Sequence, residues 1–342
     1  MKKFLKNVFI ISSIFVLTLC LAIIWDPFRV FRSYKEYYNE NYIESNRENI
    51  CYNLFIKNKE KLKINSIIVG SSRSKAFKTE NWKNIIESRN LDENKKNRYF
   101  HFDGSGLGLY RANKLVHFLD KEVDSIKNLI LVVDTDFFNE IESPKGHLFI
   151  QPTAISNESS FSFYKSFFLA SIDPSFLISN LIFRITKKHY GFMKDHIIKS
   201  PYFSVSNNET GDNYYGYDQE IRIDSVGFYK KLEERNVFYT RVQDTIVSPM
   251  LIKEEQKKII LDLKSIVEKN KTNLTIIVSP LYNQEYFNKE DLRYLREVFG
   301  TKNVHDFSGK NEFTYNYLNY YERSHFKPYI ATKILEKTYG PL

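Results

Sequence analysis

With 342 residues, 42% of them hydrophobic and 27% charged, the chain can bury a sizeable core and is not a disordered or low-complexity polymer. The formal charge is +9, yet beyond Lys2, Lys3 and Lys6 the basic residues are dispersed among acidic ones, so no basic stripe interleaved with aromatics marks a nucleic-acid binder. The 28 Phe and 24 Tyr suit either a sugar- or partner-facing surface or the codon usage of an AT-rich genome.

Residues 8–25, VFIISSIFVLTLCLAIIW, hold no charge. At ~1.5 Å per residue such a helix nearly crosses a hydrocarbon layer of ~30 Å. Lysines precede the run, while the flank after it (Asp26, Arg29, Arg32, Lys35, Glu36) is closer to neutral, which predicts a cytoplasmic N-terminus. No small-x-small cleavage site follows, and LTLC is a poor lipobox because the apolar run continues past Cys20. Residues 1–27 therefore read as an uncleaved, single-pass plasma-membrane anchor with the rest of the chain extracytoplasmic. Cys51 is the one cysteine in that remainder, so no internal disulfide is available to it.

Residues 28–63 read as a juxtamembrane lead-in, helical over about 31–60. From residue 64 short apolar runs alternate with helical patterns. The expected strands are 64–70 (INSIIVG), 98–102 (RYFHF), 128–134 (NLILVVD), 273–279 (NLTIIVS) and 303–307 (NVHDF), apolar on both faces as in a covered parallel sheet. Expected helices are 110–123, 253–270, 289–299 and about 328–338. The second carries the stripe Ile259, Ile260, Leu263, Ile266 and Val267, and the last opens on Pro328. Residues 64–342 thus read as a doubly wound, mainly parallel five-stranded α/β domain. Its rhythm is interrupted at about 140–250 by an aromatic-, Ser- and Asn-rich insertion, part helical and part loop.

Sites in open α/β sheets gather at the C-terminal ends of strands. After the first strand comes Gly70-Ser71-Ser72-Arg73-Ser74-Lys75. A hydroxyl on such a turn suits a nucleophile whose own amide helps to hold an oxyanion; alternatively Ser72 or Ser74 caps a helix. After the second strand, Gly104, Gly106 and Gly108 are in the wrong place for a dinucleotide fingerprint, leaving an oxyanion amide at Gly106 or a plain loop. After the third, Asp134 and Asp136 suit a divalent metal, or a carboxylate that caps or orients a loop. An aspartyl phosphatase would want Thr or Val where Phe137 stands. Near the C-terminus, Glu322 and His325 are three apart in a pre-helix loop, so the carboxylate can fix the imidazole tautomer and leave its other nitrogen as a general base; a surface ion pair is the alternative. No His/Cys/Asp cluster has zinc-ligand spacing.

An early strand ending in Gly-x-Ser, a glycine loop after the second strand and acid-x-x-His before a last helix together resemble the SGNH (GDSL-type) hydrolases. GSSRSK with SHFKP on an anchored chain is most similar to the envelope branch, which includes the teichoic acid D-alanyl transfer protein and alginate O-acetylation proteins. The resemblance implies a flavodoxin-like fold over about 64–338, with Ser72 as nucleophile, His325 as base, Glu322 as orienting acid, and Ser72 and Gly106 as oxyanion donors. It implies an esterase or O-acyltransferase that needs no cofactor or metal and acts on acyl groups of a cell-envelope polysaccharide or teichoic acid, with a membrane-bound O-acyltransferase as a further partner. Two positions depart from the family pattern. Glu322 replaces an Asp, and the third block offers Asp134 and Asp136 where an Asn donor is expected, leaving Asn139 or another group to substitute. Those departures motivate a second expectation, a catalytically inactive relative that binds glycan or scaffolds an acyltransferase. A third is a metal-dependent transferase using Asp134 and Asp136.

Overall fold

The computed structural model describes residues 1–35, 43–92, 96–193, 196–198 and 204–340, with side chains except at 14–15 and 204–206. The strands are β1 (Ser66–Gly70), β2 (Tyr99–Asp103), β3 (Asn128–Val133), β4 (Ser204–Ser206), β5 (Asn213–Tyr215), β6 (Asn273–Val278), β7 (Val304–Asp306), β8 (Tyr320–Glu322) and β9 (His325–Phe326). The helices are α1 (Lys2–Trp25), α2 (Arg47–Leu62), α3 (Thr79–Ser88), α4 (Leu109–Glu122), a single turn α5 (Thr153–Ser156), α6 (Ser160–Ser171), α7 (Pro174–Thr186), α8 (Tyr217–Glu234), α9 (Glu254–Asn270), α10 (Lys289–Phe299) and α11 (Pro328–Thr338).

Five strands form one sheet in the order β2-β1-β3-β6-β7, with every pairing parallel. Successive side chains of a strand face opposite ways. Ile67 and Val69 of β1, with Leu129 and Leu131 of β3, enter a core shared with α2, α4, α9 and α10. Ile68, Ile130, Val132 and Ile277 face the other way, into a core closed by α3 and α11. Burial on both faces is why these strands read as continuous apolar runs. Each fully buried Ile or Leu contributes about 1.5–3 kcal/mol.

β1 is flanked by β2 on one side and β3 on the other, so the connections leaving it reverse direction and a crevice opens at the C-terminal strand ends. The register aligns Gly70 with Asp103 of β2 and Val132 of β3, which brings the turns after β1, β2 and β3 side by side.

α1 is 24 residues long and apolar enough to cross a bilayer. The lead-in differs from expectation. Its helix starts only at Arg47, where Asn46 accepts a hydrogen bond from the Asn49 amide, and residues 36–42 lie outside the described ones. Ile50, Cys51, Leu54 and Phe55 place α2 in the sheet's core. Between β3 and β6 run α5 to α9 and the β4–β5 hairpin. α8 is broken at Asp224, whose carboxylate accepts from the Gly227 amide and restarts the helix.

Candidate active site

The turn after β1 is held by sterics and by its own hydroxyls. A Cβ on Gly70 would sit 2.7 Å from Ser74 Cβ and 3.0 Å from the Val132 side chain, so the residue is glycine because the turn folds back onto β3, not because of its backbone angles. Residues 72–76 form a 3-10 turn in which Ser71 Oγ accepts from the Arg73 amide. Ser71 thus takes the capping role weighed for Ser72 or Ser74, and the Ser72 hydroxyl is left for other partners. Ser74 Oγ donates to the Ser71 carbonyl at 2.8 Å and lies 2.9 Å from His101 Nε2, while His101 Nδ1 lies 3.3 Å from Asp212. This second Ser–His–Asp set is wholly buried, and its serine proton is already committed; it braces the turn from below.

The other half of the site comes from the C-terminus. β8 and β9 pair antiparallel with Glu322 opposite His325, which turns the three-residue spacing into a direct contact. Glu322 hydrogen bonds to His325 Nδ1, and its second oxygen accepts from the Ser324 amide at 2.9 Å. Burial works to raise the Glu322 carboxyl, but the hydrogen bond to His325, the attraction of that ring whenever it is protonated, and the Ser324 amide hold it below the usual carboxylate range. Phe326 packs edge-on against Phe77 at 5.9 Å and seats the hairpin on the β1 turn. His325 Nε2 then lies 2.8 Å from Ser72 Oγ, closing a Ser72–His325–Glu322 relay between residues 253 positions apart. With the carboxylate on Nδ1–H, Nε2 is the acceptor that can take the serine proton.

Segments without motif status support the relay. Tyr217, Phe228, Tyr229 and Leu232 of α8 pack around Tyr321 of β8, Tyr229 donates to the Tyr320 carbonyl at 2.8 Å, and Tyr321 donates to Asp218. The β4–β5 hairpin docks on β2 where the His101 amide donates to the Thr210 carbonyl at 2.7 Å. Gly211, at φ +73°, approaches so closely that a Cβ would meet the His101 carbonyl at 2.3 Å. Asp212 accepts from Thr79, and the hairpin delivers Tyr215 against His325, ring centres 5.1 Å apart, with its hydroxyl 3.3 Å from the Ser72 carbonyl. Burial, aided by the negative charge of Glu322, pushes the Tyr215 phenol well above its ordinary pKa and keeps it neutral.

The glycine loop is tied to the turn where the Gly104 amide donates to the Gly70 carbonyl at 3.1 Å. Gly106 has φ +52°. Arg111 donates to the Ser105 and Gly106 carbonyls from behind, itself held by Glu48 at 2.6 Å and Glu140 at 2.8 Å. Those carbonyls are committed to the helix side, and the Gly106 amide finds no acceptor among the described residues.

The third block behaves differently from a metal site. Arg73 bridges Asp134 at 2.6 Å and Asp136 at 3.3 Å, and Asp134 also accepts from the Phe137 amide, so the orienting role suits Asp134. Burial would lower the Arg73 pKa, but Asp134 and Asp136 more than offset it and the guanidinium stays charged, with Nε buried and without a partner among the described residues. Among the described residues no group of three His, Cys, Asp or Glu side chains could hold a metal ion. Asn139 is exposed at the end of a 3-10 turn and makes no hydrogen bond to Ser72, His325 or Glu322. Of the residues singled out by sequence, Ser72, His325 and Glu322 converge, Gly106 sits in the neighbouring loop, and Asp134 and Asp136 join through Arg73. Sequence reasoning gave no role to Tyr215, Arg111, His101 or Asp212. The Gly211-Asp212 turn before an aromatic cluster was the available signal for the hairpin.

No family model, curated protein or solved structure matches the chain.

Proposed function

We propose that the protein is an SGNH-like serine esterase or O-acyltransferase, anchored by α1 and facing the outside of the cell, that removes or transfers an acyl group on a cell-envelope polysaccharide. The observation that carries this reading is the 2.8 Å approach of His325 Nε2 to Ser72 Oγ with Glu322 on the opposite ring nitrogen. Positioned acid–base pairs of this kind activate a hydroxyl that is otherwise inert at neutral pH.

His325 accepts the Ser72 proton as Oγ attacks the acyl carbonyl. The carbonyl electrons move onto oxygen, where the amides of Ser72 and Gly106 stabilise the anion. Collapse expels the alkoxide, which takes the proton from His325 and leaves an acyl-serine. Water or a sugar hydroxyl then gives its proton to His325 and attacks the ester, and collapse restores Ser72. Arg73 follows the nucleophile with its charge balanced by Asp134 and Asp136, and its guanidinium also helps to lower the Glu322 pKa.

The carboxylate at position 134 favours the second reading, a non-catalytic relative that binds glycan or scaffolds an acyltransferase, because an ionised Asp cannot donate to an oxyanion. The metal-dependent reading loses support from Arg73, whose guanidinium occupies the space between the two carboxylates. Turnover of p-nitrophenyl acetate by the full chain separates the first two readings: Ser72→Ala and His325→Ala abolish it if the relay is catalytic, and equal rates in all three proteins reject that assignment.

A further inference from the structure

α7 is apolar on both sides: Phe176 and Phe183 face the domain beside two polar residues, and large aliphatic side chains stand outside. Ser179 and Asn180 are buried, at 1% and 5% exposed, while Leu181 and Ile185 stand 60% and 73% exposed, and Leu177 and Ile178 share that outer face. On α6, Phe161 and Leu169 are likewise exposed, at 75% and 51%. A helix that buries one apolar face and still presents a second stripe of large apolar residues has a favourable apolar solvent on the outside.

Three observations identify that solvent. The face is continuous with the apolar α1: α1 packs on α6, Trp25 at the end of α1 stacks on Phe176 of α7 with ring centres 5.6 Å apart, and the Arg184 guanidinium lies 5.6 Å from the centre of the Trp25 ring. The pair is not a free second span. α6 and α7 are bent by 55°, and Phe163, Phe167 and Phe176 pack them against Ile43 and Ile150 of the domain, so that only the outer face is left for lipid. Its far end is exposed and cationic, with Arg184, Lys187 and Lys188 followed by exposed Tyr190 and Phe192, matching anionic headgroups and the aromatic belt of a membrane interface.

We infer that α6–α7 is a second, monotopic membrane element, with its outer face sunk into one leaflet of the bilayer that α1 crosses and its cationic end at the lipid phosphates. The inference rests on α1 as the anchor and not on the chemistry of Ser72. It gives the domain two attachments to the membrane, so that the domain is held to the bilayer instead of pivoting on a single helix. A cavity of ≈ 400 Å³ lies against this hairpin, lined by Leu169, Phe176, His147 and Glu44, and Glu44 lies within electrostatic range of Lys75 on the catalytic turn.

The test uses the full chain in nanodiscs containing anionic phospholipid, with Cys20→Ser to remove the exposed native thiol and Cys51 left buried. Single cysteines at Leu181, Ile185, Leu17 of α1 or the exposed Lys258 of α9 carry an environment-sensitive fluorophore, quenched either by spin-labelled lipid or by aqueous iodide. The inference predicts that labels at 181 and 185 are quenched severalfold more by lipid than the label at 258, and are shielded from iodide. Iodide quenching at 181 and 185 equal to that at 258 overturns it. Shielding from both quenchers also overturns it, by assigning the face to a protein partner. The label at 17 reports separately on the anchor, and ester turnover reports on the relay, so loss of either is distinguishable from failure of the hairpin to enter lipid.

Discussion

Replacing Glu322 by Gln removes one charge from the relay and keeps its shape. The native carboxylate makes two bonds that a neutral amide cannot both reproduce, one to His325 Nδ1 and one to the Ser324 amide. With the amide oxygen toward His325, its NH2 faces the Ser324 N–H, donor against donor. Turned the other way, the NH2 donates to Nδ1 and drives the imidazole proton to Nε2, where it points at Ser72 Oγ and blocks general-base action. Loss of the correct tautomer costs about 10⁴-fold in a Ser-His-Asp triad, so a fall in kcat/KM of about 10³–10⁴-fold is expected, or about 4–5.5 kcal/mol of transition-state stabilisation. Stability falls by less, about 1–3 kcal/mol for the broken charge-assisted bond. The sign of the pH dependence follows from the depressed Glu322 pKa. Its stabilisation is complete above the ordinary value of 4.5 and is lost as pH falls through the lower folded value, so the variant shows a shallower acid limb in thermal unfolding. Ester turnover across pH and melting curves across the same range supply both readouts. A Glu322→Gln enzyme retaining more than about a tenth of native kcat/KM would refute the assigned role.

Gly106→Ala adds a methyl with nothing within 4 Å at a φ of +52°, so it costs only the left-handed penalty of about 1–2 kcal/mol, yet it should reduce turnover by more than that fall in stability explains, because it displaces an oxyanion amide; melting and kinetics on the same sample decide. Arg73→Met strands the Asp134 carboxylate, whose side chain is 4% exposed, and should destabilise by about 3–5 kcal/mol, with Asp134→Asn in the same chain recovering part of the loss in denaturant titration. Lys78 is buried and donates to the Asn213 carbonyl of the Tyr215 hairpin, and burial pushes its pKa down to about 8. The folded state therefore binds fewer protons than the unfolded one between about pH 8 and 10.5, and the stability of wild type relative to Lys78→Met should rise across that window by up to about 3 kcal/mol in unfolding titrations.

The sheet was legible because its strands are buried on both faces. Ile67-Ile68-Val69 and Leu129 to Val133 leave no alternation to misread, and the apolar stripe of α9 fixes its inner face. The relay was legible through local chemistry at its two ends, a Gly-Ser-Ser turn and a Glu-x-x-His step. Arg73, close to the nucleophile in sequence, was visible but not interpretable until Asp134 stood opposite it, 61 positions on. The helical state of α2 was legible but its burial was not, because part of its buried face is polar: Arg47 pairs with Asp103, and Glu48 with Arg111, partners 56 and 63 residues away. Tyr215 was hidden for a similar reason. Its position depends on Asp212 reaching Thr79 across 133 residues and on Gly211 lying flush against β2, neither of which leaves a periodic signature.

The central claim is that Ser72 is a nucleophile activated by His325. Treating the full-length protein with a fluorophosphonate probe and mapping the modified peptide tests it most directly. The account predicts a single stoichiometric adduct on Ser72 Oγ, absent from Ser72→Ala and strongly slowed in His325→Ala. A correctly folded protein that takes up no probe, or takes it up at the same rate without the imidazole, would contradict it.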